Sequence, residues 1–148
     1  MSEDRNSTLI LIEDEASIRE LAATVLQRDG WTVVSASGTA EALALCRECP
    51  NQIAAVVTDC HLKDGDGIDV ARKICAERPG IAVVAMSGFP ENAQRAADLG
   101  YTFLPKPFLP SALVEVVRSV LPSRMPAGSE RRERRSARTA GGTGEAKG

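Results

Sequence analysis

No stretch of this 148-residue chain comes near the ~18 consecutive apolar residues that cross a bilayer, so no membrane span is expected. Met1 to Ser7 is polar and holds no hydrophobic segment of the secretory-signal kind, which makes a cytoplasmic location the expectation. Cysteine is sparse: Cys46, Cys49, Cys60 and Cys75 are too few and too unevenly spaced to staple a fold. Cys46-Arg-Glu-Cys49 has C-x-x-C spacing, yet no second Cys pair or His pair completes four zinc ligands. It also falls inside a helical pattern, away from the strand-to-helix start where a helix dipole lowers a thiol pKa. These thiols are expected to pack. Histidine occurs once, at His61, and no internal repeat is visible. A basic excess is lacking too. Residues 1–121 carry 17 acidic and 11 basic side chains, net −6, and residues 122–148 carry 3 and 7, net +4. An acidic body with a basic tail is not the charge pattern of a dedicated nucleic-acid binder, so no direct DNA binding is expected.

What is present is a regular alternation. Thr8–Ile12, Trp31–Ala36, Ile53–Thr58, Ile81–Met86 and Tyr101–Leu104 are short apolar runs rich in β-branched residues. Most are apolar at successive positions, which suits strands covered on both faces of a parallel sheet. Between them run segments of helical period. Ile18, Leu21, Ala22, Val25 and Leu26 predict an amphipathic helix over 16–28, stopped at Gly30. Thr39–Arg47, Ile68–Glu77 and Glu91–Leu99 follow, and a last helix is predicted over Ser111–Val120, with Ser111 as its cap behind Pro110. Each connection is long enough for a right-handed helical crossover. The expected fold is α/β, a doubly wound (βα)₅ sandwich over residues 8–121. Residues 1–7 are expected to be a flexible start. Pro122–Gly148, dominated by Arg, Gly, Ser and Pro, has too little apolar surface to offset its ordering entropy and is expected to be a disordered basic tail.

In an open α/β sheet ligands bind beyond the carboxyl ends of the strands, so the residues closing each apolar run matter most. The first run ends in Glu13-Asp14-Glu15, the third in Thr58-Asp59, the fourth in Ser87-Gly88, and the fifth runs into Pro105-Lys106-Pro107-Phe108. If these strands are neighbours, one edge gathers several carboxylates, a hydroxyl and an ammonium. Carboxylates so close resist ionising together unless one is protonated or a cation sits among them. Hard oxygen donors with room for water and phosphate describe a Mg²⁺ (or Mn²⁺) site. With Asp59 as an oxygen nucleophile, Ser87 and Lys106 to take phosphoryl oxygens, and Glu13 and Asp14 on the metal, the equipment is that of phosphoryl transfer.

On these motifs, residues 8–121 resemble the receiver domain of bacterial two-component response regulators. The residues that carry the likeness are Leu11-Ile12-Glu13-Asp14-Glu15, Val57-Thr58-Asp59 with Leu62-Lys63-Asp64-Gly65-Asp66-Gly67, Met86-Ser87-Gly88, and Leu104-Pro105-Lys106-Pro107-Phe108. The resemblance implies a flavodoxin-like sheet of order 2-1-3-4-5. It implies that Asp59 is the phosphoacceptor, that Glu13, Asp14, Asp59 and the backbone carbonyl of His61 hold the metal, and that Ser87 and Phe103 are the switch pair. It further implies a cis Lys106–Pro107 bond, a tight turn at Gly65 and Gly67, and control of acyl-phosphate lifetime by His61 and Phe89. The implied phosphodonor is a sensor histidine kinase or a histidine phosphotransfer protein. Phosphorylation would rotate Phe103 inward and alter the face made by the fourth helix, fifth strand and fifth helix, where a downstream protein docks. A monomer, or a weak phosphorylation-linked dimer, is expected.

Each of these residues has a plainer reading. His61 invites a catalytic role, but on a tight loop its imidazole is expected at the pocket rim. Phe103 could be core alone, and Trp31 is expected to pack. The arginines of the tail form a solvated charge run. An aspartyl-nucleophile phosphatase of the dehalogenase type is the rival enzyme, but it wants an Asp two residues after the nucleophile, where this chain has His61. A flavodoxin-like flavin binder wants a phosphate-cradling Gly/Ser/Thr loop where this chain has Glu13-Asp14-Glu15.

Overall fold

The computed structural model describes residues 8–121. The flexible start and the basic tail expected from the sequence lie outside the described residues. Within them, five strands alternate with five helices: β1 (Thr8–Ile12), α1 (Ala16–Arg28), β2 (Thr32–Ala36), α2 (Thr39–Glu48), β3 (Ile53–Asp59), then a short hairpin of β4 (His61–Leu62) and β5 (Gly65–Asp66), α3 (Gly67–Glu77), β6 (Ala82–Ser87), α4 (Glu91–Asp98), β7 (Thr102–Pro105) and α5 (Pro110–Val120). The main sheet is parallel throughout, in the order β2-β1-β3-β6-β7, which is the expected 2-1-3-4-5. No helix among the described residues is long and apolar enough to cross a membrane.

The uninterrupted apolar strands have the predicted cause. Alternate residues of β1 and β3 point to opposite faces, and both faces are covered. Leu9, Leu11, Ala55 and Val57 pack with Leu26, Trp31, Leu113 and Val117 on the side of α1 and α5. Ile10, Ile12 and Val56 pack with Ala42, Cys46, Val70 and Ile74 on the side of α2 and α3. Cys60, Ile68, Ala85 and Ala96 form a third cluster beneath α4, against which Phe103 and Tyr101 lean.

Three expectations need correcting. Ser111 does not cap α5: the helix begins at Pro110, Leu109 stands at the N-cap, and no side chain caps it. Proline supplies a pre-set φ, and the donor it lacks is one the first turn leaves free in any case, so the helix opens one residue earlier. Leu21 does not face the core but is half exposed, because α1 meets the sheet along the narrower strip of Ala22 and Leu26. Trp31 precedes β2 instead of opening it. Its N–H returns to the Leu26 carbonyl, finishing the turn that ends α1, and its side chain is buried.

The β4–β5 hairpin carries no apolar run that would announce it. Gly65 turns it with φ of +159°. Gly67 has a different purpose from the turning one expected of it. A Cβ there would sit 1.8 Å from the Asp59 carbonyl oxygen, so only glycine lets α3 start against the end of β3.

Candidate functional site

Strand register brings the chemistry-bearing residues to one edge. Ile12 of β1 pairs with Thr58 of β3, Asp59 with Met86 of β6, and Ser87 with Pro105 of β7. Four strands therefore stop level, and Glu13, Asp59, Ser87 and Lys106 emerge side by side. Asp14 follows at the start of the β1–α1 loop.

Glu13 is buried to 1% exposure, and its carboxylate accepts from Lys106 Nζ at 2.8 Å and from the Glu15 N–H at 3.1 Å. Lys106 Nζ also lies 3.2 Å from Asp59 Oδ2, while Asp59 Oδ1 faces the His61 N–H at 3.4 Å. Asp14 is half-buried and accepts from the Lys63 N–H at 2.8 Å. One oxygen from each of Glu13, Asp14 and Asp59 lies within 4.8 Å of the others. The Lys106–Pro107 bond is cis, as expected, and the Lys106 N–H donates to the Ser87 carbonyl at 2.9 Å.

The electrostatics are unbalanced. Burial pushes the Glu13 carboxyl above its usual value, and the charge of Asp59 adds to this, against the pull of Lys106 and the Glu15 N–H. Burial draws Lys106 down, but the Glu13 hydrogen bond and the Asp59 and Glu13 charges outweigh it and leave it raised. With all three carboxylates ionised, one ammonium leaves a formal −2 among the four side chains. A divalent cation cancels that charge, and an all-oxygen donor set with one member half open to water suits Mg²⁺. The residues fit the metal the sequence implies.

Around the carboxylates the structure places the remaining predicted residues. The Ser87 hydroxyl oxygen accepts from the Phe89 N–H and from Asn92 Nδ2, both at 2.9 Å. The His61 ring is exposed at the rim, edge-on to Phe89 with centroids 4.6 Å apart, and its Nε2 lies 2.9 Å from Asn92 Nδ2. Phe89 is itself half exposed. Phe103 is half-buried against the cluster under α4 instead of standing out in solvent. Beside the carboxylates, Ile18, Leu21, Pro107 and Phe108 with the Lys106 stem line an apolar groove of about 280 Å³.

Cys46 is buried within α2 and Cys49 stands at its C-cap; all four thiols are free. Burial raises Cys60, next to the nucleophile, to about 11, with the Asp59 charge second.

Sequence reasoning missed the polar scaffold. The Asp64 carboxylate reaches across from the hairpin to accept the Thr39 N–H at 2.8 Å, and so caps α2. Asp66 caps α3 through the Asp69 N–H and takes the Arg95 guanidinium at 3.0 and 3.2 Å. Arg19 reaches back from α1 to the Glu13 carbonyl at 2.9 Å. Asn92, buried on α4, ties Ser87 to His61. Only the Asp66-x-x-Asp69 spacing before a helix was a local signal; the other partners are 5 to 31 residues apart in sequence.

A family profile described as the response regulator receiver domain matches residues 9–118. The sensor kinase CckA of Brucella abortus is 33% identical over 119 residues, which are 78% of this chain and 13% of that kinase. The chain thus spans well under two thirds of that curated relative. Among solved structures, a response regulator receiver domain protein from Clostridium thermocellum has a TM-score of 0.72 at 28% identity, over 80% of this chain and 96% of that one. The response regulator TrrA of Thermotoga maritima, in complex with Mg²⁺ and beryllofluoride, shares the fold with a TM-score of 0.69 at 22% identity, over 78% of this chain and 99% of that one.

Proposed function

The chain belongs to the response regulator receiver family, a phosphoacceptor signalling module and not a classical enzyme, and on that footing we propose that Asp59 is its phosphoacceptor. The supporting observation is the Asp59 carboxylate, one oxygen 3.2 Å from Lys106 Nζ and within 4.8 Å of oxygens from Glu13 and Asp14. A carboxylate among other carboxylates is a poor place to bring a phosphoryl group unless its charge is cancelled on arrival. Bound Mg²⁺, held by Glu13, Asp14, Asp59 and the His61 carbonyl, supplies that cancellation together with Lys106; Mn²⁺ offers the same chemistry.

One Asp59 oxygen attacks the phosphorus of a phosphohistidine. The new O–P bond forms as the P–N bond breaks, and the departing imidazole keeps the electron pair and takes a proton. Lys106 pairs with one phosphoryl oxygen, and Ser87 donates its hydroxyl to another. The donor is a sensor histidine kinase or a histidine phosphotransfer protein, and the apolar groove of Ile18, Leu21 and Phe108 gives it a surface to rest on beside the carboxylates. Movement of Ser87 toward the phosphoryl group opens space for Phe103 to sink further into the cluster with Ala85 and Ala96. That changes the face of α4, β7 and α5, where a downstream partner docks.

Incubation with acetyl phosphate and Mg²⁺, followed by intact-mass measurement, tests the assignment. One added phosphoryl group is expected on the wild type, none after chelation with EDTA, and none on Asp59→Asn. Full labelling of Asp59→Asn refutes it.

A further inference from the structure

We propose that Asn92 is a positioning residue that latches the Ser87 hydroxyl away from the phosphorylation site and so sets how readily the protein activates. The inference rests on Asp59 being the phosphoacceptor and extends it to a residue outside the carboxylate cluster.

Asn92 lies in the first turn of α4, yet it is only 3% exposed. A buried amide is retained at a cost unless its polar atoms find partners, and here the nitrogen has two and the oxygen one. Its Nδ2 carries two protons. One is given to Ser87 Oγ and the other points to His61 Nε2, both at 2.9 Å. Its Oδ1 accepts from Arg95 at 3.2 Å. Arg95 in turn forks onto Asp66, whose carboxylate also caps α3. The amide is therefore oriented from both sides. A flip would put its oxygen toward His61 and its NH₂ group against the Arg95 guanidinium, donor facing donor. The orientation that serves Ser87 is the one Arg95 enforces.

Ser87 Oγ already accepts two N–H groups, from Phe89 and Asn92, so both of its lone-pair sites are filled on the α4 side. To give its proton to a phosphoryl oxygen, the hydroxyl must swing toward Asp59. The Asn92 contact breaks in that movement, because Asn92 is fixed to α4 and cannot follow. The broken bond counts against the activated state alone. One neutral hydrogen bond of ordinary net worth corresponds to roughly a two- to tenfold bias toward the unactivated state. Asn92 also links three elements, β6 through Ser87, β4 through His61 and α4 through its own backbone. Release of Ser87 therefore removes a direct tie between β6 and the start of α4.

The test is beryllofluoride affinity with Mg²⁺, read by ¹⁹F NMR, for wild type, Asn92→Leu, Asn92→Ala and Ser87→Ala, and for each Asn92 variant combined with Ser87→Ala. Leu keeps the branched shape of the amide and Ala removes it, so a packing defect in one does not speak for both. Both Asn92 variants are expected to bind beryllofluoride roughly two- to tenfold more tightly than the wild type, and the gain is expected to vanish in the Ser87→Ala background. Unchanged or weaker binding in folded Asn92 variants, or a gain that survives without the Ser87 hydroxyl, overturns the latch. A wild type that takes up no beryllofluoride at all overturns the phosphoacceptor assignment beneath it, which separates the two failures.

Discussion

Glu13 shows how a single side chain is tuned by what crowds it. Its carboxyl sits above the usual 4.5 because burial and the neighbouring Asp59 charge oppose ionisation. A raised folded pKa means the native state holds the proton more tightly than the unfolded chain. Glu13 therefore contributes most to metal-free stability below pH 4.5, and that contribution is lost as pH rises through its folded value. Metal binding needs the ionised form, so the signs oppose. Mg²⁺ affinity measured by calorimetry is expected to start falling while the pH is still above 4.5. Glu13→Gln is expected to weaken binding at neutral pH and to flatten this part of the profile. At the rim, the half-exposed ring of Phe89 lies edge-on to His61, and we propose that it limits the approach of water to an acyl phosphate on Asp59. Phe89→Ala is expected to shorten the phosphorylated lifetime severalfold, followed by loss of the added mass with time; equal decay removes that role.

Among the elements, the β4–β5 hairpin has a consequence out of proportion to its four strand residues. Asp64 caps α2, Asp66 caps α3 and anchors α4 through Arg95, and the Lys63 N–H holds Asp14. The start of α2 has no side-chain cap of its own at Gly38, where a Cβ would meet the Asp64 carboxylate at 2.8 Å. Asp64→Ala is expected to lower the melting temperature and to loosen the first turn of α2, seen as faster amide exchange at Thr39 and Ala40. Gly67→Ala meets a backbone carbonyl, which cannot yield as a side-chain tip can. It is expected to cost about 3 kcal/mol or more in denaturant unfolding, because β3 and α3 must separate to admit one methyl group.

For the whole molecule, the cluster makes function and stability antagonistic. Three carboxylates share one edge with Lys106, and folding must bring their charges together before any ligand offsets them. Asp59→Asn leaves the Glu13–Lys106 pair intact and relieves that repulsion. Its melting temperature without Mg²⁺ is expected to exceed that of the wild type. Added Mg²⁺ is expected to stabilise the wild type by about 2.7 kcal/mol when present at one hundred times its dissociation constant, and to stabilise Asp59→Asn by less. An Asp59→Asn protein that melts lower than the wild type in EDTA contradicts the charge-crowding account.

The residues alone determined the alternation of strand and helix, because burial on two faces demands runs such as Leu9–Ile12 and Val56–Val57, and no local preference contradicts them. They also determined which side chains close the strands, since a parallel sheet puts chemistry at its carboxyl edge whatever the loops do. The motif spacing made Glu13, Asp14, Asp59, Ser87 and Lys106 legible before any coordinates. Helix 5 was legible as an element but not at its first residue, where the fixed φ of Pro110 outweighed the capping preference of Ser111. What only the tertiary structure decided was the polar framework around the site. Asp64 reaches α2 from 25 residues away and Asn92 reaches His61 from 31. A carboxylate or amide carries no sign of its partner until packing brings a donor within 3 Å. Apolar periodicity is a property of neighbours in sequence, whereas a hydrogen bond across the fold is a property of neighbours in space.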